Sequence, residues 1–188
     1  MSAPARHRHN YAEYLELDEL SNVKLEYLDG EIFAMAGGTP EHAALAMNVG
    51  IALASVRDRG CRLFSSDLRV RVLGTGLAAY PDLTVVCGPL ERDPDSRTTV
   101  VNPTLIVEVL SDSTQDYDRG EKAEHYRMIP ALRACLLVSH QRPSVEVWQR
   151  DADGDWSLAV HGPGAVIELP GLGVTLAVDE VYRGVKAY

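Results

Sequence analysis

Leu105-Ile106-Val107-Glu108-Val109-Leu110 sets one carboxylate inside a run that is apolar on both sides of the strand alternation. Such a run reads as a central strand covered on both faces. An isolated ionised carboxylate there is costly, so Glu108 must be paired, protonated or bound to a metal. Two structural explanations stand beside the chemical one: Glu108 at the wet end of its strand, or Glu108 satisfied by a buried arginine.

Reading outward, residues 80–87 form the preceding strand-like run, and Pro81-Asp82-Leu83-Thr84-Val85-Val86 puts an aspartate near its start, 26 residues before Glu108. The polar, proline-bearing loop between the runs is long enough to bring the chain back alongside. Two carboxylates on neighbouring strands can share one hard divalent cation, since Mg²⁺ takes oxygen ligands, usually one or two carboxylates with waters and substrate phosphate oxygens. Downstream, residues 116–129 read as a helix on which Lys122, Tyr126 and Ile129 share a face. Lys122 then packs its stem against the sheet and carries its ammonium over the strand ends. Asp118, one turn earlier, can orient it, or form an ordinary i,i+4 ion pair with it at the surface.

Upstream, Lys24-Leu25-Glu26-Tyr27-Leu28 and Glu31-Ile32-Phe33-Ala34-Met35 flank Asp29-Gly30, the pair that a tight type I′ hairpin turn requires. A helix is expected over Tyr11–Leu20, after a flexible tail at residues 1–10. Thr39-Pro40-Glu41 starts a helix expected to span 40–58, with capping threonine, proline in the first turn and Leu45, Val49, Leu53 and Val56 as its apolar stripe. His42 falls at the end of that stripe, as a rim histidine or at the edge of a site. Residues 61–73 alternate, with Asp67, Arg69 and Arg71 on one face. Further strands are expected at 134–139, 144–149, 156–160, 166–169 and 174–176. The pattern describes one mixed α/β domain with helices over a central sheet and additional β-hairpins.

The 188 residues carry 27 acidic and 18 basic side chains, a formal charge of −9. That disfavours a non-specific nucleic-acid coat, whose affinity comes from Lys and Arg against phosphates. It leaves room for an enzyme with a local basic strip and a metal. No apolar leader or membrane-length run is present, so a cytoplasmic protein is expected. Cys61, Cys87 and Cys135 match neither a disulfide framework nor a CxxC zinc pattern and read as small buried thiols. Gly74-Thr75-Gly76 lacks the lysine and helix of a phosphate loop, and Ser65, Ser66 and Ser111 lack a nucleophile elbow.

In order along the chain, Leu25-Glu26-Tyr27-Leu28-Asp29-Gly30-Glu31-Ile32, Pro40-Glu41-His42, Tyr80-Pro81-Asp82-Leu83, Val107-Glu108-Val109-Leu110-Ser111, and Ser113-Thr114 through Asp118, Lys122 and Tyr126 resemble the Uma2-type (DUF820) restriction-endonuclease-like proteins of the PD-(D/E)XK superfamily. The resemblance extends through Val145-Glu146-Val147-Trp148 and covers about the whole chain. It implies that Asp82 is the PD aspartate, Glu108 the acidic partner and Lys122 a lysine relocated to the helix, because Leu110 stands where the ExK lysine would be.

The expectation is therefore a restriction-endonuclease-like domain spanning 1–188 that hydrolyses DNA phosphodiesters with Mg²⁺ or Mn²⁺. Asp82 and Glu108 would hold the metal, with the Val109 carbonyl as an extra ligand and Lys122 acting on the attacking water or the phosphate. His42 and Glu31 are expected at the site's edge, Arg69 and Arg71 against the DNA backbone, and a homodimer is a further expectation. The alternative is a nuclease-fold module that binds nucleic acid or a protein without cleaving.

Overall fold

The computed structural model describes residues 7–35 and 37–185. Helix α1 (Tyr11–Leu20) begins at a reciprocal capping box between Asn10 and Glu13. Strands β1 (Leu25–Leu28) and β2 (Glu31–Ala34) form the expected hairpin, with Asp29 at φ 47° and Gly30 at φ 85°. The part of the presumed tail that is described is tied down: the His9 N–H donates to the Gly30 carbonyl at 2.9 Å, and the Tyr27 hydroxyl donates to the His9 carbonyl at 3.1 Å. Residues 1–6 lie outside the described residues.

Helix α2 (Pro40–Ala52) is capped by Thr39 and is shorter than the span expected; a 3₁₀ turn over Ala54–Arg59 follows and ends at left-handed Gly60. The alternating stretch 61–73 is not one strand. It divides into β3 (Cys61–Ser65) and β4 (Arg69–Arg71), which belong to different sheets. Between them the chain turns at Ser66 and Asp67, where the Lys24 ammonium holds the Ser66 carbonyl at 2.8 Å and the Asp67 carboxylate at 2.7 Å. Next come β5 (Ala78–Ala79), β6 (Leu83–Cys87), β7 (Arg92–Asp93), β8 (Ser96–Val100) and β9 (Leu105–Leu110). The stretch expected to be a loop before β9 thus supplies two strands. Their polarity hid them, because Ser96, Thr98 and Thr99 turn toward the buried Arg69 guanidinium.

The expected helix over 116–129 is helical but irregular: α3 (Gln115–Tyr117), a π turn over Asp118–Lys122 and α4 (Ala123–Arg127). Strands β10 (Ala134–Ser139), β11 (Val145–Arg150), β12 (Trp156–His161), β13 (Val166–Leu169) and β14 (Val174–Ala177), with α5 (Val178–Val181), complete the chain.

The central sheet runs β12-β11-β10-β9-β6-β3 and is mixed, with β9 and β10 parallel and its other neighbours antiparallel. Every residue of β9 and β10 is buried. Val107 and Leu136 face α2 and the C-terminal strands in a core with Leu45, Val49, Leu176 and Val181. Ile106, Leu110 and Leu137 face the opposite way, against Tyr126, Ile129 and the second sheet's Val70 and Val100. That second sheet runs β2-β1-β5-β4-β8-β7. Alternation along β9 sends Glu108 to this second side, between the central sheet and the π turn.

One expectation is overturned at the sheet's edge: Cys61 and Cys87 form a disulfide, across a directly paired position of β3 and β6. Spacing alone could not disclose it, because the antiparallel register is what sets the two residues side by side. Cys135 is a buried free thiol, as expected. A cytosol would keep such a pair reduced, so the bond and the expected location call for opposite redox conditions. Closing the loop between these cysteines should raise the unfolding free energy by about 2–4 kcal/mol. Urea denaturation with and without dithiothreitol measures that difference, and a Cys61→Ser variant should behave like the reduced protein under both conditions.

Candidate functional site

Leu83 pairs with Val107 in the antiparallel β6–β9 register. One step further along the same register sets Asp82, just before β6, across from Glu108, the fourth residue of β9. The Asp82 Oδ2 atom accepts the Val109 backbone N–H at 2.7 Å and lies 3.3 Å from His42 Nε2. His42 sits in the first turn of α2, its own N–H held by the capping Thr39 hydroxyl at 3.2 Å. The hydrogen bond to Asp82 raises the His42 pKa, with burial opposing it.

Glu108 is only 4% exposed. Its Oε1 accepts the Tyr126 hydroxyl at 2.7 Å and lies 3.0 Å from the Lys122 ammonium. Lys122 is equally buried and also donates to Glu26 Oε1 at 2.9 Å, with Asp118 Oδ1 at 3.7 Å. Glu26 in turn accepts the Tyr80 N–H at 3.3 Å, and Asp118 accepts the Thr114 hydroxyl at 2.6 Å. Lys122 and Tyr126 share the inner face of their helical segment, as their spacing implies. The π turn carries both Asp118 and Lys122 inward; such turns occur often at functional sites.

The charges do not balance. Glu26, Glu108 and Asp118 surround one lysine, with Asp82 close enough to act on Glu108, and burial makes an ionised carboxylate expensive. Burial pushes the Glu108 pKa up to about 8; Lys122 opposes that rise, while Asp82, Asp118 and Glu26 add to it. Asp118 is also raised, chiefly by burial. Burial pulls Lys122 down, but Glu108, Glu26 and Asp118 outweigh it and hold the ammonium charged. Asp82 and His42 stand in the wall of a groove of about 1030 Å³ that runs along α2.

Asp82, Glu108 and Lys122 thus come together, with His42 beside Asp82. Glu31 does not join them: it is half-buried at the end of the β1–β2 hairpin, opposite Leu28. The hairpin's contribution is Glu26. Its signal was the one that singled out Glu108, a carboxylate within an apolar strand run, and the shortness of β1 hid it. Arg69 and Arg71 are not free to meet a DNA backbone. Arg69 is buried and pairs with Asp18 at 2.5 Å, while Arg71 pairs with Asp93 and Asp95, both at 3.0 Å. Alternation showed that the two arginines share a strand face; it could not show that α1 and the β7–β8 hairpin cover that face.

The family model Uma2, described as "putative restriction endonuclease", matches residues 11–179. Two uncharacterized proteins of Synechocystis sp. are similar to this chain. One is 37% identical over 173 residues, covering 92% of this chain and 90% of its own length. The other is 35% identical over 159 residues, covering 84% and 90%. Among solved structures, "a putative nuclease belonging to DUF820" from Anabaena variabilis superposes with a TM-score of 0.76 at 18% identity, over 93% of this chain and 98% of that one. At that identity the likeness is one of fold: the two chains share the mixed α/β architecture.

The raised Glu108 pKa has a sign that stability measurements can read. The folded state holds this proton more tightly than the unfolded chain does. The stabilisation it confers is therefore complete below pH ~4.5 and is lost as pH rises through about 8. In EDTA, Glu108→Gln should lack this component, so wild type should lose stability relative to the variant between pH 5 and 8. Lys122→Met, which strands several carboxylates without their cation, should cost about 3–5 kcal/mol at neutral pH. Urea denaturation across that pH range checks both.

Proposed function

This chain belongs to the Uma2 family, and from that membership and the opposed carboxylates of Asp82 and Glu108 we propose a Mg²⁺- or Mn²⁺-dependent nuclease that hydrolyses phosphodiester bonds in DNA. The observation that carries the proposal is the state of those two carboxylates. Among the described residues, both contacts of Asp82 go to Oδ2 and both contacts of Glu108 go to Oε1. One oxygen of each therefore has no protein partner. A buried glutamate whose proton is held up to about 8 is a carboxylate short of positive charge. Hard oxygen donors with charge to spare fit Mg²⁺ or Mn²⁺ and do not suit a soft metal. The Val109 carbonyl is a third candidate donor: a strand residue's N–H and C=O face the same neighbour, and the Val109 N–H faces Asp82.

Such an ion, when bound, supplies Lewis acidity toward a phosphoryl oxygen and acidifies water. The protein's own groups do the rest. The Val109 N–H and His42 fix the Asp82 carboxylate, and the Tyr126 hydroxyl orients Glu108. Lys122, a compact point charge, orients the attacking water or offsets negative charge growing on the phosphate. Glu26 and Asp118 keep that ammonium protonated and aimed.

A non-cleaving module is the second reading, and one feature favours it. Lys122 already lies within 3.7 Å of three carboxylates, so part of the cluster's charge is offset without any metal.

A plasmid-nicking assay with Mn²⁺ and a thermal-shift titration with the same ion separate the two. The nuclease reading expects nicking that Asp82→Asn and Glu108→Gln abolish. It also expects metal to stabilise wild type by about 2.7 kcal/mol at a hundredfold excess over Kd, a shift that both variants lose. Glu108→Gln serves well here because its fold should survive, so loss of the shift reports on the site itself. Absence of both nicking and a metal shift in wild type would leave the binding module standing.

A further inference from the structure

The groove that begins at Asp82 and His42 continues along α2 and the outer edge of β3, away from the carboxylates. Strand β3 ends the central sheet, and among the described residues no strand lies beyond this edge. His42 and Ile51 are nine residues apart on α2, roughly 14 Å along the helix axis. At about 1030 Å³ the groove lies at the top of the ~300–1,000 Å³ range of small-molecule pockets, room for an extended ligand.

Two features of the lining stand out. Met47 and Ile51 are 64% and 67% exposed, and Phe64 lines the groove from β3. Lys24, Arg57 and Arg62 also line it, and the acidic lining residue is Asp82 itself. In a chain of net charge −9 this is a local excess of cations around an apolar floor. Lys24 is engaged by Ser66 and Asp67, and Arg62 donates one bond to the Gly88 carbonyl at 2.8 Å. Arg57 and Arg62 are both exposed.

We infer that this groove seats an unpaired nucleic-acid strand, bases on the apolar floor and phosphates along the arginines, and feeds it to Asp82; the inference rests on the nuclease reading and names its substrate class. A duplex keeps its base faces inside its own stack and presents phosphates and groove edges, so Met47, Ile51 and Phe64 would find no partner there. An unpaired strand exposes those faces, and aromatic and polarisable side chains beside a basic track are how sequence-tolerant single-strand binding is built. The cations speak against an apolar peptide as the occupant, and the formal charge of −9 on each copy speaks against a second copy of this chain.

The test is fluorescence anisotropy with a labelled 12-nucleotide oligothymidylate and a labelled 12-base-pair duplex, in EDTA so that no cleavage occurs. The single strand should bind at least tenfold more tightly than the duplex. Ile51→Glu, at an exposed position, removes apolar floor and sets a carboxylate against the strand's phosphates, and should weaken single-strand binding at least about fivefold. Arg57→Gln with Arg62→Gln should flatten the slope of log affinity against log salt by about 1.4, two single-strand phosphate contacts at ~0.7 each. Equal or tighter duplex binding would overturn the inference. So would a lack of binding to either probe, or a dimer in light scattering that Ile51→Glu dissolves, since the face would then join two copies. Metal-dependent nicking that persists alongside any of these results would overturn the unpaired-strand inference while leaving the nuclease reading intact.

Discussion

The Lys122 ammonium is the point at which three separate stretches of chain meet. Glu26 comes from the N-terminal hairpin, Glu108 from the middle of the central sheet, and Lys122 and Asp118 from the π turn. Each of these groups would be costly to bury alone. Buried together they compensate one another, and the geometry in which they do so is narrow. The hairpin, the sheet and the helical segment must therefore dock in one arrangement. A comparable network works beside it on the second sheet, where Asp18 of α1 meets Arg69 of β4 and the Tyr80 hydroxyl. Each of these two polar clusters holds distant segments together.

The compensation around Lys122 is incomplete, and that separates it from the Arg69 cluster. Arg69 spreads its donors over one carboxylate and several hydroxyls, so its charge is matched. Lys122 is one positive charge against several carboxylates, with Asp82 close enough to add its own repulsion. A structural ion pair has no reason to remain short of positive charge. The proposed metal site would have one, because a surplus of negative charge would draw the ion in. Asp82, at the edge of that cluster, also lines the groove along α2, whose other charged lining side chains are Lys24, Arg57 and Arg62.

The position of Glu108 in its strand explains why the site lies where it does. Its neighbours Leu105, Val107 and Val109 are committed to the α2 side of the sheet, and Ile106 and Leu110 to the other. A shift of one residue in register would turn Glu108 into the α2 core and leave it without Lys122 or Tyr126. The apolar residues on both sides therefore fix the carboxylate's direction more firmly than its own contacts do.

What the sequence determined by itself was whatever depends on near neighbours along the chain. The Asp29-Gly30 turn, the capping of α2, the strands β9 and β10, and the shared face of Lys122 and Tyr126 follow from local sterics and side-chain periodicity, which short stretches carry in full. The pairing of Asp82 with Glu108 was within reach because both lie on adjacent strands of strong pattern. Tertiary structure decided the rest. Glu26 rather than Glu31 reaches the lysine because β1 is held by β5 at Tyr27. Arg69 and Arg71 are sequestered because α1 and the β7–β8 hairpin fold over them. Cys61 meets Cys87 because β3 and β6 pair in one particular register. Each of these depends on which distant segment arrives at a given face, and alternation along one strand specifies the face but not what comes to cover it.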